Sequence, residues 1–229
     1  MTTYLAEHSD LKLHVGARPT TVAVAEQYVR RYLNTPTEHW SYPAYDGYPG
    51  SLGADVGLQD LFAPTLLNAP IRKLRSYYEL EQALPELNER LRDVRDDVSL
   101  ARATAEDIRT AARVFGIFDV RPDIHGVKLT TLAKIVHRKR PLILPLWDEH
   151  IERCYHTDPD APVPYEKGRA WEEFAVAWLQ AVKADLTATP EIERAWRELA
   201  ALTPPGGPTI TPLRALDIVG WRLGRMSAA

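Results

Sequence analysis

The segment 144–153 combines side chains that could act on a sugar. His150 and Arg153 follow Asp148 by two and five residues, directly after an apolar stretch that contains Pro145. A carboxylate close to C1′ of a glycoside stabilises the oxocarbenium-like cation that forms as the bond breaks, and it can orient the attacking water. The pattern therefore predicts a catalytic carboxylate at Asp148, with His150 as the second catalytic candidate.

A second interpretation of the same residues needs no chemistry. Asp148 is predicted to begin a helix, where aspartate is a common N-cap and where backbone amides favour its anionic form. His150 alone is typical of a hydrogen-bonded structural histidine. Arg153 could bind a phosphate of a substrate or pair with an acid on the surface. Both interpretations stay open at this point.

Helical signals dominate the elements that must position these residues. Thr21, Thr104 and Thr211 each stand where a helix N-cap is expected, with acids after Thr104 and a proline after Thr211. Gly126 is expected in a turn that leads into an amphipathic helix, so that 124–155 forms a hairpin-like motif ending beyond Asp148.

The pattern as a whole predicts an all-α protein. The segment 36–57 is rich in proline, glycine and tyrosine and is expected to be an irregular loop. We expect a single helical domain over 1–229, with two helical lobes at roughly 1–100 and 101–229 around a cleft.

Composition limits the classes of protein that fit. The chain has 229 residues, of which 45% are hydrophobic and 26% charged, as in ordinary globular proteins. The net charge of −3 gives no overall attraction to nucleic acid. The single cysteine, Cys154, excludes an internal disulfide and a zinc ribbon, and the first residues lack a secretory signal pattern. No apolar run reaches the length of a membrane helix, and we expect a cytoplasmic protein.

The motif resembles the helix-hairpin-helix DNA glycosylases. In that superfamily a Gly-Val-Gly hairpin leads to a segment ending in Asp-x-His-Val/Ile-x-Arg, and this chain has Gly126-Val127-Lys128 followed by Asp148-Glu149-His150-Ile151-Glu152-Arg153. The resemblance implies a helix-hairpin-helix glycosylase-like fold and a catalytic role for Asp148. It covers about 30 residues closely.

Three departures from the superfamily pattern narrow that expectation. The position of the lysine that forms a Schiff base in bifunctional members holds Thr130, so lyase activity is not expected. Lys128 replaces the second hairpin glycine, and its side chain hinders a close approach of the backbone to a phosphate. Only Cys154 is present, so no iron–sulfur centre can form.

A broader likeness covers most of the chain. Tyr45-Asp46, the segment 60–68, the segment 139–148 and the segment 214–219 look like an uncharacterised family common in actinobacteria. That family implies a fold relationship and leaves the substrate open.

Several further residues are candidates for substrate binding. Lys128, Arg138 and Arg140 could hold phosphates, although a basic helix end is equally typical of a solvated surface. The aromatic loop with Trp40, Tyr45 and Asp46 could stack a base, or its rings could anchor the loop to the core. Trp147 could line a pocket beside Asp148, or it could pack inward.

These observations predict a hydrolase of N-glycosidic bonds. The substrate would be a nucleoside, a nucleotide or damaged DNA. The alternative is a non-catalytic binding or regulatory module, or an enzyme of different chemistry, on a degenerate glycosylase-like scaffold. No metal site, cofactor or membrane partner is expected, and the sequence does not determine the oligomeric state.

Overall fold

The computed structural model describes residues 3–34 and 41–226, and helices dominate them, as the sequence predicts. The α-helices are α1 (Thr3–Glu7), α2 (Val22–Asn34), α3 (Leu74–Asp93), α4 (Ala105–Phe115), α5 (Ile117–Val120), α6 (Leu129–Val136), α7 (Glu149–Glu152), α8 (Trp171–Thr187), α9 (Pro190–Ala200) and α10 (Pro212–Arg225). Two 3-10 helices span Leu58–Leu67 and Leu100–Arg102, and a wide π-helical turn spans Arg153–Thr157.

A β-hairpin is an addition to the expected all-α class. Strands β1 (Lys12–Val15) and β2 (Arg18–Thr21) pair antiparallel, with Val15 opposite Arg18. Leu13 and Val15 alternate with exposed residues and are fully buried. The turn uses Gly16, whose φ of +57° is a conformation that favours glycine. The alternation in this short segment was a signal for the hairpin.

Threonine caps begin the helices at the expected places. Thr104 accepts a hydrogen bond from the amide of Asp107, and the Asp107 carboxylate accepts one from the amide of Thr104, which is a capping box. Thr211 accepts from the amide of Arg214 at 3.0 Å and precedes Pro212 at the first helical position. These local rules fix where α4 and α10 begin.

The chain divides into two compact units, each built from separate segments. The first unit contains the described residues of 3–47, 148–165 and 181–226, and the second contains 48–147 and 166–180. The lobes at 1–100 and 101–229 and the cleft between them stay a prediction.

Helix α10 is the central element of the first unit. Its first two turns are almost wholly buried, whereas Arg225 and Met226 at its C-terminal end are exposed. The core around it includes side chains from the hairpin, α2, α7, α9 and α10 itself: Leu13, Val15, Val22, Val29, Ile151, Ala195, Trp196, Leu216 and Val219.

The second unit has its own core, formed by α3, α4, α6 and the first part of α8. Asp119 caps α8 by accepting hydrogen bonds from the amides of Trp171 and Glu172 at 2.8 and 3.0 Å. The core side chains include Leu80, Leu87, Leu91, Phe115, Leu132, Ile135, Trp147 and Trp178. Across the described residues of both units, no helix has the length and apolar character needed to cross a membrane.

Candidate functional site

Asp148 is the N-cap of α7, in the first unit. Its Oδ1 accepts hydrogen bonds from the amides of His150 and Ile151 at 3.0 and 3.1 Å. Within the part of the chain that the structure describes, Oδ2 accepts no hydrogen bond. The carboxylate is half-buried. Oδ1 therefore caps the helix, which is one of the two roles that the sequence predicts for Asp148, and Oδ2 is available for a second function.

Two glycines on α10 determine where α7 lies. A Cβ on Gly220 would stand 2.7 Å from a methyl of Val15 and 2.8 Å from the Cδ1 methyl of Ile151. A Cβ on Gly224 would overlap the carbonyl group of His150. The backbone of α7 can approach α10 this closely only because both positions lack a side chain. The spacing of four residues between the glycines, which places them on one helix face, was the sequence signal for this contact.

His150 packs between α7 and α10. Its ring lies edge-on to the ring of Trp221, with centroids 5.3 Å apart and an interplanar angle of 85°. Nε2 is 3.6 Å from a carboxylate oxygen of Glu149. Nδ1 is buried and has no hydrogen-bond partner among the described residues. The structure thus shows His150 as a packing residue whose backbone amide holds Asp148, and its catalytic role stays a prediction.

Arg153 is bound to the end of α10. Its Nη1 donates to the carbonyl oxygen of Gly224 at 2.9 Å, in the last turn, where carbonyl groups have no partner within the helix. This bond gives Arg153 a structural role. Binding of a substrate by Arg153 stays a prediction.

Trp147 packs inward in the second unit. It is 5% exposed, and its ring is edge-on to those of Trp178 and Phe174, at centroid distances of 4.8 and 5.2 Å. Aromatic packing of this kind stabilises a core. The predicted role of Trp147 in lining a pocket therefore has no support in its surroundings within that unit.

Tyr45 and Asp46 belong to a buried polar network at the other end of α10. Arg214 donates from Nε to Asp46 at 2.9 Å and from Nη2 to the hydroxyl of Tyr32 at 2.6 Å, and its guanidinium lies over the ring of Tyr45. Tyr45 is fully buried, and burial raises the pKa of Tyr32 well above its usual value. A ring enclosed in this way offers no free face to a base, so we explain both loop residues by packing. Trp40 lies outside the described residues.

The two groups of predicted residues in the first unit do not meet. The loop pair contacts α10 at Arg214, whereas α7 contacts it at Gly220 and Gly224. These positions are two to three turns apart, and Arg214 and Gly224 are separated by about 15 Å along the helix axis. The structure brings together Asp148, His150 and Arg153 but not Tyr45 and Asp46.

The three basic residues predicted to hold phosphates, Lys128, Arg138 and Arg140, lie in the second unit and differ in their exposure. Arg140 is 5% exposed, and it donates from Nε to the carbonyl of Val94 at 2.8 Å and from Nη2 to that of Leu91 at 2.9 Å. It therefore closes the C-terminal end of α3. Arg138 is half-buried and Lys128 is exposed. Of the three, Lys128 is the residue most accessible to a phosphate.

The turn at the start of the hairpin-like motif 124–155 needs glycine at position 126. Its φ is +73°, and a Cβ there would lie 2.8 Å from the hydroxyl oxygen of Ser76, which donates to the carbonyl of His125 at 2.6 Å. Lys128 has an extended φ of −97°, which any residue adopts. Lys128 therefore adopts its backbone conformation without strain, and Thr130 follows as a half-buried residue of α6.

Cys154 is not a nucleophile in this structure. The thiol is fully buried, and burial raises its pKa to about 12. It approaches the carbonyl oxygen of Gly220 at 3.6 Å. Among the described residues, no three histidine, cysteine, aspartate or glutamate side chains lie close enough together to share a metal ion.

A family model matches residues 25–224, most of the chain. The chain belongs to the DUF6308 family, which is described as a family of unknown function. Membership in DUF6308 confirms the expected relationship to an uncharacterised family, and it carries no statement about glycosylases or about source organisms. No curated protein and no solved structure matches the chain.

Proposed function

We propose that this DUF6308 protein hydrolyses an N-glycosidic bond in a nucleoside, a nucleotide or damaged DNA, with Asp148 as the catalytic carboxylate. The observation that carries the proposal is that the two oxygens of this carboxylate differ in their hydrogen bonds. Oδ1 is fixed by two amides, while Oδ2 has no hydrogen bond within the described residues. The resemblance to the helix-hairpin-helix glycosylases supports the same role for Asp148.

The chemistry follows from the position of Oδ2. As the C1′–N bond breaks, the base leaves with the bonding electrons and takes up a proton from solvent. The negative charge on Oδ2 stabilises the sugar cation, and the same oxygen orients the water that bonds to C1′ and releases one proton to solvent. The two amides hold the carboxylate in one orientation, so little reorganisation is needed when the cation forms.

Asp148→Asn tests the proposal. Asparagine caps a helix about as well as aspartate, so the fold should persist, whereas the negative charge is lost. We expect the variant to lose at least about 100-fold in turnover, the scale of one lost electrostatic contact in a transition state. The assay would incubate the protein with nucleosides, nucleotides and lesion-bearing oligonucleotides, and chromatography would measure the released base.

A second cap variant separates chemistry from stability. Thr189 caps α9 by accepting from the amide of Ile192 at 3.3 Å. Thr189→Ala should lower the stability by about 1 kcal/mol and leave turnover unchanged. Base release that persists in Asp148→Asn would show that Asp148 is a cap and nothing more.

The alternative is a non-catalytic binding or regulatory module on the same scaffold. It is favoured by the internal roles of Trp147, Arg140 and Arg153, which the structure uses for packing and for closing helix ends. Failure of every substrate to release a base, with the wild-type protein folded, would support this module or an enzyme of different chemistry.

A further inference from the structure

A groove in the first unit lies between the end of α9, the loop 203–210 and the start of α10. Its volume is about 650 Å³, which is within the range of small-molecule sites. Among the described residues that line it, Arg197 is the single ionisable side chain. The walls are largely apolar and include Ala200, Ala201, Pro204, Pro205, Ile210 and Pro212.

Hydrogen bonds fix the loop that forms one wall of the groove. The amide of Gly207 donates to the carbonyl of Pro204 at 3.0 Å. The hydroxyl of Tyr42 donates to the carbonyl of Pro208 at 3.2 Å, and it lies so close to Gly207 that a Cβ there would overlap it. The prolines restrict the backbone further. This wall is therefore formed before a ligand binds, which lowers the entropic cost of binding.

Arg197 gives the groove a positive charge that no neighbour balances. It is exposed in the last turn of α9, and no ion pair or side-chain hydrogen bond joins it to another residue of 3–34 and 41–226. The adjacent acid, Glu198, is 3.8 Å from Arg194 instead. The guanidinium of Arg197 can therefore bind an anion in the groove without first breaking an internal contact.

The two helix ends beside the groove are compatible with an anion. At the end of α9, the carbonyl groups of Arg197, Leu199 and Ala200 accept hydrogen bonds from the amides that follow the helix. The hydroxyl of Thr203 also donates to the carbonyl of Ala200, at 3.0 Å. Pro212, the first residue of α10, lines the groove, and the positive end of the dipole of α10 lies beside it.

We propose that this groove binds a small monocarboxylate with an apolar body, such as an arylalkanoate. A planar guanidinium binds a carboxylate through two parallel hydrogen bonds, while apolar walls bury the hydrocarbon part. One cation matches one negative charge, and apolar walls do not compensate the desolvation of the second charge of a phosphate monoester.

The groove is separate from the proposed catalytic carboxylate. Pro212 begins α10, whereas α7, which Asp148 caps, packs against that helix at Gly220 and Gly224. The binding of a carboxylate does not depend on the proposed hydrolysis. Asp148→Asn should therefore bind the ligand like the wild type, whatever its effect on base release.

Phenylbutyrate is a suitable probe, and two-dimensional NMR of the isotope-labelled protein both measures and locates its binding. We expect a Kd of about 1 mM or below, with the largest shift changes at the backbone amides of 200–210. Phenylbutanol and phenylbutylamine carry the same apolar body without the negative charge. They should bind at least about tenfold more weakly, because neither can pair with the guanidinium.

Three variants test the two parts of the site. Arg197→Gln should bind phenylbutyrate at least about tenfold more weakly and should lose the preference for the acid over the alcohol. Arg72→Gln is the matched control, because Arg72 is an exposed arginine of the second unit, and it should retain the wild-type affinity. Ala201→Phe adds a ring to the exposed wall and should abolish binding of phenylbutyrate, while circular dichroism shows that the helices persist.

Several outcomes would overturn the proposal. Phenylbutyrate could leave the amides of 200–210 unchanged, the alcohol or the amine could bind as tightly as the acid, or Arg197→Gln could retain the wild-type affinity. Inorganic phosphate that binds at these residues as tightly as phenylbutyrate would also overturn it, because the apolar wall would then contribute nothing to recognition.

Discussion

The carboxylates of this protein show how local surroundings give one residue type different properties. Asp148 accepts hydrogen bonds from backbone amides through a single oxygen. Asp46 accepts hydrogen bonds from Arg214 and Tyr32. Asp185 accepts them from the hydroxyl of Tyr155 and the amide of Gly16. The sequence distinguished the first of these, because an acid two residues before a histidine after an apolar segment is a local pattern. The other two depend on residues distant in the chain.

Asp185 makes stability depend on pH. Burial raises its pKa to about 6, although hydrogen bonds from Tyr155 and Gly16 oppose the shift. The folded state therefore binds this proton more tightly than the unfolded state, whose aspartates titrate near 3.9. The contribution of this bound proton to the stability of the fold is present below about pH 4 and is lost as pH rises through about 6.

The free energy of unfolding of the wild type should fall as the pH rises from 4 to 7, whereas the amide of Asp185→Asn does not titrate. We therefore expect the stability of the variant, relative to the wild type, to increase by about 1–3 kcal/mol over this rise in pH. Urea unfolding of both proteins at the two pH values measures the change. Asp160→Asn is the control. Because Asp160 is exposed, we expect this variant to differ from the wild type by the same free energy of unfolding at both pH values. An equal change in both variants would contradict the prediction.

At the scale of elements, α7 depends on α10 more than on its own sequence. A helix of four residues has no stability alone, and α7 is held by the close approach at Gly220 and Gly224 and by the bond from Arg153. The position of Asp148 is thus determined by a helix more than sixty residues later in the chain.

Gly224→Ala tests this dependence. The added methyl would overlap the carbonyl of His150, which is backbone and cannot rotate away. We expect a loss of about 1–3 kcal/mol in the free energy of unfolding, despite the better helix propensity of alanine. Thermal or urea unfolding gives the value, and Gln27→Ala at an exposed site on α2 should shift it by less than about 0.5 kcal/mol. A more stable Gly224→Ala protein would show that α7 and α10 lie further apart.

At the scale of the whole molecule, the chain builds two cores from interleaved segments. Residues 148–165 and 181–226 join the N-terminal segment in the first unit, although the residues between them belong to the second. Such connectivity ties the stability of each unit to contacts that are distant in sequence, which slows folding relative to a local topology.

Cys154 reports on the opening of the first unit. Its thiol is fully buried and is the single thiol of the chain. We expect a disulfide reagent to label the folded protein at least about 100-fold more slowly than the protein in urea, because the labelling needs unfolding of the core. Labelling should accelerate in Gly224→Ala in proportion to its loss of stability. Rapid labelling of the native protein would contradict the burial of Cys154.

The sequence by itself determined the helical class, the caps at Thr104 and Thr211, the turn at Gly126 and the helix start at Asp148. Each of these follows from local backbone chemistry, in which a side chain satisfies an amide a few residues away or a glycine adopts a positive φ. Tertiary structure alone decided the internal roles of Tyr45, Arg140 and Trp147 and the approach of α7 to α10. These depend on which distant groups pack together, because the free energy of burying a ring or a charge is set by its neighbours in space.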